Sequence, residues 1–342
     1  MTGVENQGHF WGRVLRWLIP VVISGGAIWL VLRDVEFSRI WASLRQIRFQ
    51  TFLLASAAYF ASYVMRAFCW YLLLRRKVSF KDVFFTMGAG YLLNNLFPFR
   101  LGEVGRAVLL DNPQGPSALE VLSSVVVERV FDVFLAAVFV LMTIPRILGG
   151  DFDQTFVVIA FVVTLFGMAV LYLAVRFRSH IQAWLESWGE KADFIKNWVT
   201  PKAIQVLEGL SVLLDPWAFL LAIGSLAISW LIAFGENLIV FQSIYPNPPF
   251  WWMVFVLSAA AFGAALPSAP AGLGVFEGVM VAAFALLGIA PEVAFTHAIV
   301  IHALAFVYAN LLGLIGLRMR GEAVVGLYQR VVRRRNQVKS AG

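Results

Sequence analysis

The sequence predicts an all-α polytopic membrane protein with about six full spans and two re-entrant pairs of broken helices, arranged as an inverted repeat. Three observations carry that prediction. Of 342 residues, 60% are apolar and 14% are charged, against about half and about a quarter in an average soluble domain. Apolar runs of about twenty residues, enough to cross a bilayer core, recur along the chain. Two further apolar stretches are each interrupted midway by Pro and Gly. A soluble enzyme, a disulfide-built secreted domain and a disordered scaffold are excluded. Cys69 is the only cysteine, so no intrachain disulfide and no cysteine metal site is expected. The net charge is +7, but the basic residues stand at the edges of apolar segments, where they set topology rather than bind nucleic acid.

Along the chain, Arg13 and Arg16 precede an apolar run over 17–32 that resembles a signal peptide but lacks a clear cleavage site, so it is read as an uncleaved first span. About ten residues at each end are expected to be frayed. Further spans are expected at 52–74, 121–144, 155–175, 217–241 and 294–317. Stretch 83–110 breaks at Asn94-Asn95-Leu96-Phe97-Pro98-Phe99-Arg100-Leu101-Gly102, and stretch 250–289 at Pro267-Ser268-Ala269-Pro270-Ala271-Gly272-Leu273-Gly274. Each reads as two half-helices, which a membrane tolerates only where the broken backbone meets protein or a wet cavity. With both termini cytoplasmic, the cytoplasmic segments hold 20 Lys and Arg, the outer segments 5, and Arg66 and Arg129 lie within spans. That bias fits the positive-inside rule, although charge alone also admits eight or more spans.

The arrangement divides one integral membrane domain into a first half at 52–144, a connecting span and cytoplasmic linker at 145–216, a second half at 217–317 and a basic cytoplasmic tail at 318–342. Each half is span, broken pair, span, with opposite orientation, a plan that recurs in secondary transporters. Phe37, Ile40, Trp41, Leu44 and Ile47 follow a helical period with arginines between them, predicting an interfacial helix. Segment 180–215, with Trp184, Trp188 and Trp198, is read as a linker lying on the membrane.

Ionisable groups in mid-membrane are costly and invite explanation. Arg100 and Arg106 flank a half-helix N-terminus aimed into the membrane, where N–H groups and guanidinium forks favour a phosphate or another anion. Gly102, Gly272 and Gly274 would let backbone N–H groups approach that ligand closely. Asn94, Asn95 and Asn310 either satisfy the broken backbone or bind substrate. Glu103 and Glu277 either stabilise the two helix N-termini or act in gating, proton coupling or headgroup recognition. Glu128 and Asp132 share a helical face with Arg129 beside them, and Arg66 lies at a similar depth. These four form either a structural ion-pair network or a gate or proton relay. Glu236, His297 and His302 are further polar points, the histidines read as packed hydrogen-bonders. No nucleophile constellation, phosphate loop or dinucleotide fingerprint is visible, so no catalytic residue, metal or cofactor is expected, and transport would run downhill or on an ion gradient.

The block Asn95 through Arg106, then Glu128-Arg129-Val130-Phe131-Asp132, then Pro267 through Gly278 resembles the signature blocks of the lysylphosphatidylglycerol synthase transmembrane region, a flippase-like prokaryotic family. The similarity runs from about residue 17 to 320. Its Pro-x-Arg-x-Gly-Glu and Gly-x-Gly-x-x-Glu positions fall on Pro98, Arg100, Gly102 and Glu103, and on Gly272, Gly274 and Glu277. The resemblance implies a multi-pass domain of the cytoplasmic membrane that moves or presents lipids. The family's aminoacyl-lipid synthases carry a cytosolic transferase domain after this region; an Arg-rich tail stands there here, and aminoacyl-lipid synthesis is not carried over. The reading preferred is a flippase or scramblase for an anionic-headgroup lipid, a phospholipid or a polyprenyl-phosphate carrier. The alternatives are a non-catalytic membrane partner of a lipid-modifying synthase, or a membrane-embedded lipid transferase using Glu128, Asp132 or Glu103 as base. The partners admitted are membrane lipids, a second copy of the chain and such a synthase.

Overall fold

The structure is a computed structural model and describes residues 20–33, 36–97, 100–148, 155–189, 199–210, 214–263 and 268–340. Arg13, Arg16, Pro98, Trp198 and Pro267, singled out in the sequence, lie outside the described residues. Within them the chain is helical, with no strand. The helices are α1 (Pro20–Leu32), α2 (Phe37–Gln46), α3 (Phe49–Leu73), α4 (Phe80–Leu96), α5 (Leu101–Leu110), α6 (Ala118–Leu148), α7 (Thr155–Arg176), α8 (Arg178–Gly189), α9 (Thr200–Gly209), α10 (Pro216–Gln242), α11 (Phe250–Gly263), α12 (Val275–Ala285), α13 (Pro291–Met319) and α14 (Val324–Ser340).

Among the described residues, three helices, α3, α10 and α13, are long and apolar enough to cross a membrane. They match the spans expected at 52–74, 217–241 and 294–317. Of the other expected spans, α1 is short; α6 runs for 31 residues but carries Glu128, Arg129 and Asp132 along its middle; α7 has 22 residues, of which only Arg176 is charged, long enough to cross. The amphipathic segment forms α2, which turns Ile40 inward and leaves Phe37 and Trp41 exposed. The basic tail from Val324 is a 17-residue helix. It docks on α5 through Leu327 and Val331, with Tyr328 stacked on Phe97 at 4.2 Å.

Both interruptions make helical hairpins. α4 has 17 residues and α5 has 10; α11 has 14 and α12 has 11. At about 1.5 Å per residue none reaches the roughly 30 Å of a bilayer core. The base of the first hairpin is tied by one side chain: Arg320, just past α13, donates to Asp82 at the start of α4 and to the Leu109 carbonyl at the end of α5, both at 2.9 Å. The base of the second hairpin packs at the end of α10, where Phe241 stacks on Phe284 of α12 and Trp252 of α11 packs on Tyr245.

α3 and α10 run antiparallel. Ser62 and Ser229 exchange hydroxyl–carbonyl hydrogen bonds at 3.0 Å in both directions, while Leu72 near the end of α3 lies with Trp217 and Ala218 at the start of α10. α4 crosses α13 closely because glycines face each other: a Cβ on Gly88 would meet the Gly313 nitrogen at 3.0 Å, and one on Gly316 would meet the Phe85 carbonyl at 2.6 Å. Small residues at membrane helix crossings allow such approach.

Candidate functional site

The first hairpin turns on Arg100, which caps α5 in the left-handed backbone conformation (φ 50°, ψ 43°). Closing the hairpin brings α4 and α5 together at Gly90 and Gly102, where a Cβ on Gly102 would collide with the Gly90 carbonyl. The Gly102 N–H, an orphan donor of the helix start, donates to Asn94 Oδ1 at 2.7 Å. Asn95 reaches across to Asn310 of α13 at 3.2 Å. Two of the three asparagines therefore tie the hairpin to its surroundings.

Beneath this tip lies a network of four arginines and three carboxylates. Arg66 on α3 forms two hydrogen bonds to Asp132 on α6, at 2.7 and 2.9 Å, and one to Glu128 at 3.3 Å. Trp230 Nε1 donates to the same Asp132 at 3.1 Å. Arg106 is buried, 1% exposed; its guanidinium donates to Glu128 at 3.0 Å and its carbon lies 4.9 Å from the ring centres of both Trp70 and Tyr91. A bond to a carboxylate with an aromatic face on either side satisfies a cation withdrawn from water. Gly90 makes the room, since a Cβ there would meet the Arg106 side chain at 2.7 Å.

The outer part of the network is looser. Arg129 donates to Asp132 at 3.3 Å. Glu103 lies 3.6 Å from Arg129 Nε and 4.0 Å from Arg100. Neither separation is a hydrogen bond, and the buried Arg129 Nε–H has no acceptor. Arg100 is the most exposed of the four arginines, its side chain 47% accessible.

The second break has a different chemistry. Ala271, Gly272 and Gly274 all have positive φ, at 61°, 78° and 83°. The N–H groups of Gly272 and Gly274 are already engaged, with the Ala269 carbonyl at 2.9 Å and with Glu277 Oε2 at 2.7 Å. Gly274 also packs against Ser24 and Ile28 of α1, leaving no room for a Cβ. The other Glu277 oxygen contacts His302 Nδ1, and His302 Nε2 bonds the Ala271 carbonyl at 3.1 Å. The imidazole bridges the Glu277 carboxyl group and the backbone of the break. Each half thus places an acid from the first turn of its second half-helix against a base of the following long helix: Glu103 with Arg129, and Glu277 with His302.

Two adjoining cavities of about 430 Å³ each occupy the space between the hairpins, sharing Ser62, Arg66, Tyr91 and Phe276. One is lined by Arg66, Arg100 and Arg129 with Glu103 and Asp132, and closed by apolar residues of α11. The other meets Asn94 and Asn95 on one side and Ala271 and His302 on the other. Of the residues singled out in the sequence, Arg66, Arg100, Glu103, Arg129, Asp132, Asn94 and Asn95 come together here. Glu277 stands one contact behind the wall, through His302. Arg106 and Glu128 form a buried pair away from either wall, and Gly102, Gly272 and Gly274 line neither cavity. Tyr91, Trp70 and Trp230 join the site without having been singled out. Nothing local distinguishes them among 12 Trp and 8 Tyr. Among the described residues no group of three or more His, Cys, Asp and Glu could hold a metal ion.

The family model of the lysylphosphatidylglycerol synthase TM region matches residues 17–313, a stretch that contains both hairpins and the whole charged network. No curated protein and no solved structure matches the chain.

Proposed function

The chain belongs to the lysylphosphatidylglycerol synthase TM region family, and from that premise we propose that it moves an anionic-headgroup lipid across the cytoplasmic membrane of a prokaryote. Family and apolar helices together make it a membrane protein linked to lipid metabolism or transport; flippase or scramblase action is the finer reading. The observation that carries it is the pair of adjoining cavities reached by both hairpin tips, one presenting three arginines against two carboxylates. A lipid phosphate there would meet Arg100 and Arg129, whose Nε–H lacks an acceptor, while Arg66 is already held by Asp132. The apolar residues of α11 would border the tails. The lipid passes unchanged on this reading, without catalytic residue or cofactor.

The topology proposed has six crossings, two re-entrant hairpins and both termini cytoplasmic. An inverted repeat is supported by the way contacts exchange between the halves. α3 packs on α10, α4 of the first hairpin on α13 of the second half, and α11 of the second hairpin on α6 of the first half. The reciprocal Ser62 and Ser229 bonds and the paired Glu103–Arg129 and Glu277–His302 contacts fit the same exchange. Alternating access by rocking of two halves about a shared site is the mode such repeats support. The Glu277–His302 pair is proposed for proton coupling, and Glu103 with Arg129 for gating.

The test is headgroup accessibility in proteoliposomes, using fluorescent phospholipids and a fluorescent polyprenyl phosphate with a membrane-impermeant quencher. Wild type should remove the protected inner pool of at least one lipid, and Arg100→Ala should leave it protected while purifying as a folded protein. A protected pool unchanged by wild type for both lipids, with and without an imposed pH gradient, would overturn the transport reading. Equal activity of the variant would overturn the phosphate site.

A further inference from the structure

Away from the cavities between the hairpins, the end of α3 and the starts of α8 and α10 enclose a pocket of about 580 Å³. Arg75, Arg76 and Arg178 line it together with Trp217, which is 77% exposed. Arg75 and Arg76 both hold left-handed backbone conformations, φ 54° and 57°, an arrangement unfavourable for residues with a Cβ. It turns the chain back after α3 and keeps two successive arginines at the pocket. The acid in the pocket, Asp215, is occupied: its carboxylate accepts from the N–H groups of Trp217 and Ala218 at 3.0 and 3.1 Å and caps α10.

Leu214 lines this basic pocket and also an apolar groove of about 650 Å³ between α6, α7 and α10. Phe131, Phe134, Leu165, Tyr172 and Phe219 form its walls, and among the described residues none that lines it is charged. Basic pocket and apolar groove therefore meet at one residue, at the end of two helices long and apolar enough to cross a membrane. The indole of Trp217 is exposed at this pocket, as amphipathic rings are at a membrane interface.

We propose that this pocket and groove form a second lipid site, which holds an anionic phospholipid by its phosphate at Arg75, Arg76 and Arg178 and lays an acyl chain along the groove. Free phosphate would have no use for the groove, and the cationic group of a zwitterionic headgroup would be repelled by a pocket lined by three arginines; basic pockets between membrane helices recognise anionic headgroups in this manner. The inference depends only on the chain lying in a membrane and stands whether or not the lipid is moved.

Native mass spectrometry of the delipidated full-length protein, titrated with mixed phosphatidylglycerol and phosphatidylcholine, tests it. Wild type should retain phosphatidylglycerol in preference. Arg76→Gln with Arg178→Gln should lower that preference by about tenfold or more, from the loss of two charges near the membrane surface. Arg45→Gln on α2, a residue that lines neither this pocket nor the cavities between the hairpins, should keep it. Ala169→Trp, which fills the groove and spares the arginines, should weaken long-chain phosphatidylglycerol and leave a six-carbon-chain analogue bound, a result that stands even if the double variant fails to fold. Unchanged preference in the folded double variant, equal loss of both chain lengths with Ala169→Trp, or full displacement by millimolar inorganic phosphate would overturn the proposal.

Discussion

Arg106 and Arg100 stand six residues apart and have opposite fates. The sequence treats them alike, as cations beside a broken helix. In the structure Arg106 turns inward to Glu128, Trp70 and Tyr91, while Arg100 caps the hairpin tip at the cavity edge. Removing one partner of a buried pair strands the other charge, so Glu128→Ala should cost about 3–5 kcal/mol, read as a lowered unfolding midpoint in detergent. Arg100→Gly should behave differently. Glycine accepts the left-handed conformation that costs other residues about 1–2 kcal/mol, so stability should hold or rise while lipid translocation is lost; a matching loss of stability would assign Arg100 to the scaffold. Glu277→Gln removes the carboxyl group that contacts His302. It should abolish any acceleration of transport by an imposed pH gradient, and a gradient response as large as wild type would remove the dyad from coupling. At this scale the sequence made the acids and arginines legible because charge in an apolar run stands out. Their division into inner and outer partners was not, because it depends on aromatic rings from α3 and α4 that resemble dozens of other rings.

The hairpins are the elements most plainly written in the sequence. Pro and Gly within apolar stretches too long for one half-helix mark both tips, and the observed ends at Leu96, Leu101, Gly263 and Val275 fall at or beside the expected breaks. What packs against each hairpin was not legible, since glycine contacts depend on helix pairs about 225 residues apart, as Gly88 and Gly313 are. A leucine at Gly313 would push α13 off α4, and overpacking of this kind costs about 1–3 kcal/mol. Gly313→Leu should therefore lower the unfolding midpoint, whereas Gly224→Leu, at a glycine with open space around it, should leave it near wild type. Equal effects would mean that the α4–α13 crossing contributes nothing particular. The Arg-rich tail is basic by composition, and the apolar side of α14 that docks on α5 is masked in the sequence by Arg330 between its contact residues and the arginines from Arg333 onward.

For the molecule as a whole, composition alone identifies a membrane protein, and among the described residues three helices are long and apolar enough to cross. The expected count of six is harder to read from hydropathy because α6 carries its charges where an uninterrupted apolar span would need none. Those charges are also what connects the halves: Asp132 of α6 bonds Arg66 of α3 and Trp230 of α10, so one carboxylate joins three long helices. The proposed function makes that junction the floor of a lipid-headgroup site between two opposed hairpins. An anionic phospholipid carrying a photoreactive group on its headgroup, activated in proteoliposomes and followed by peptide mapping, would locate the headgroup. Adducts should fall on cavity-lining residues from both hairpins, around Arg100 and Glu103 and around Ala271 and Phe276, and should be competed by unlabelled anionic lipid. Adducts confined to the outer surfaces of the helices, with none at either hairpin tip, would contradict a headgroup site between the halves.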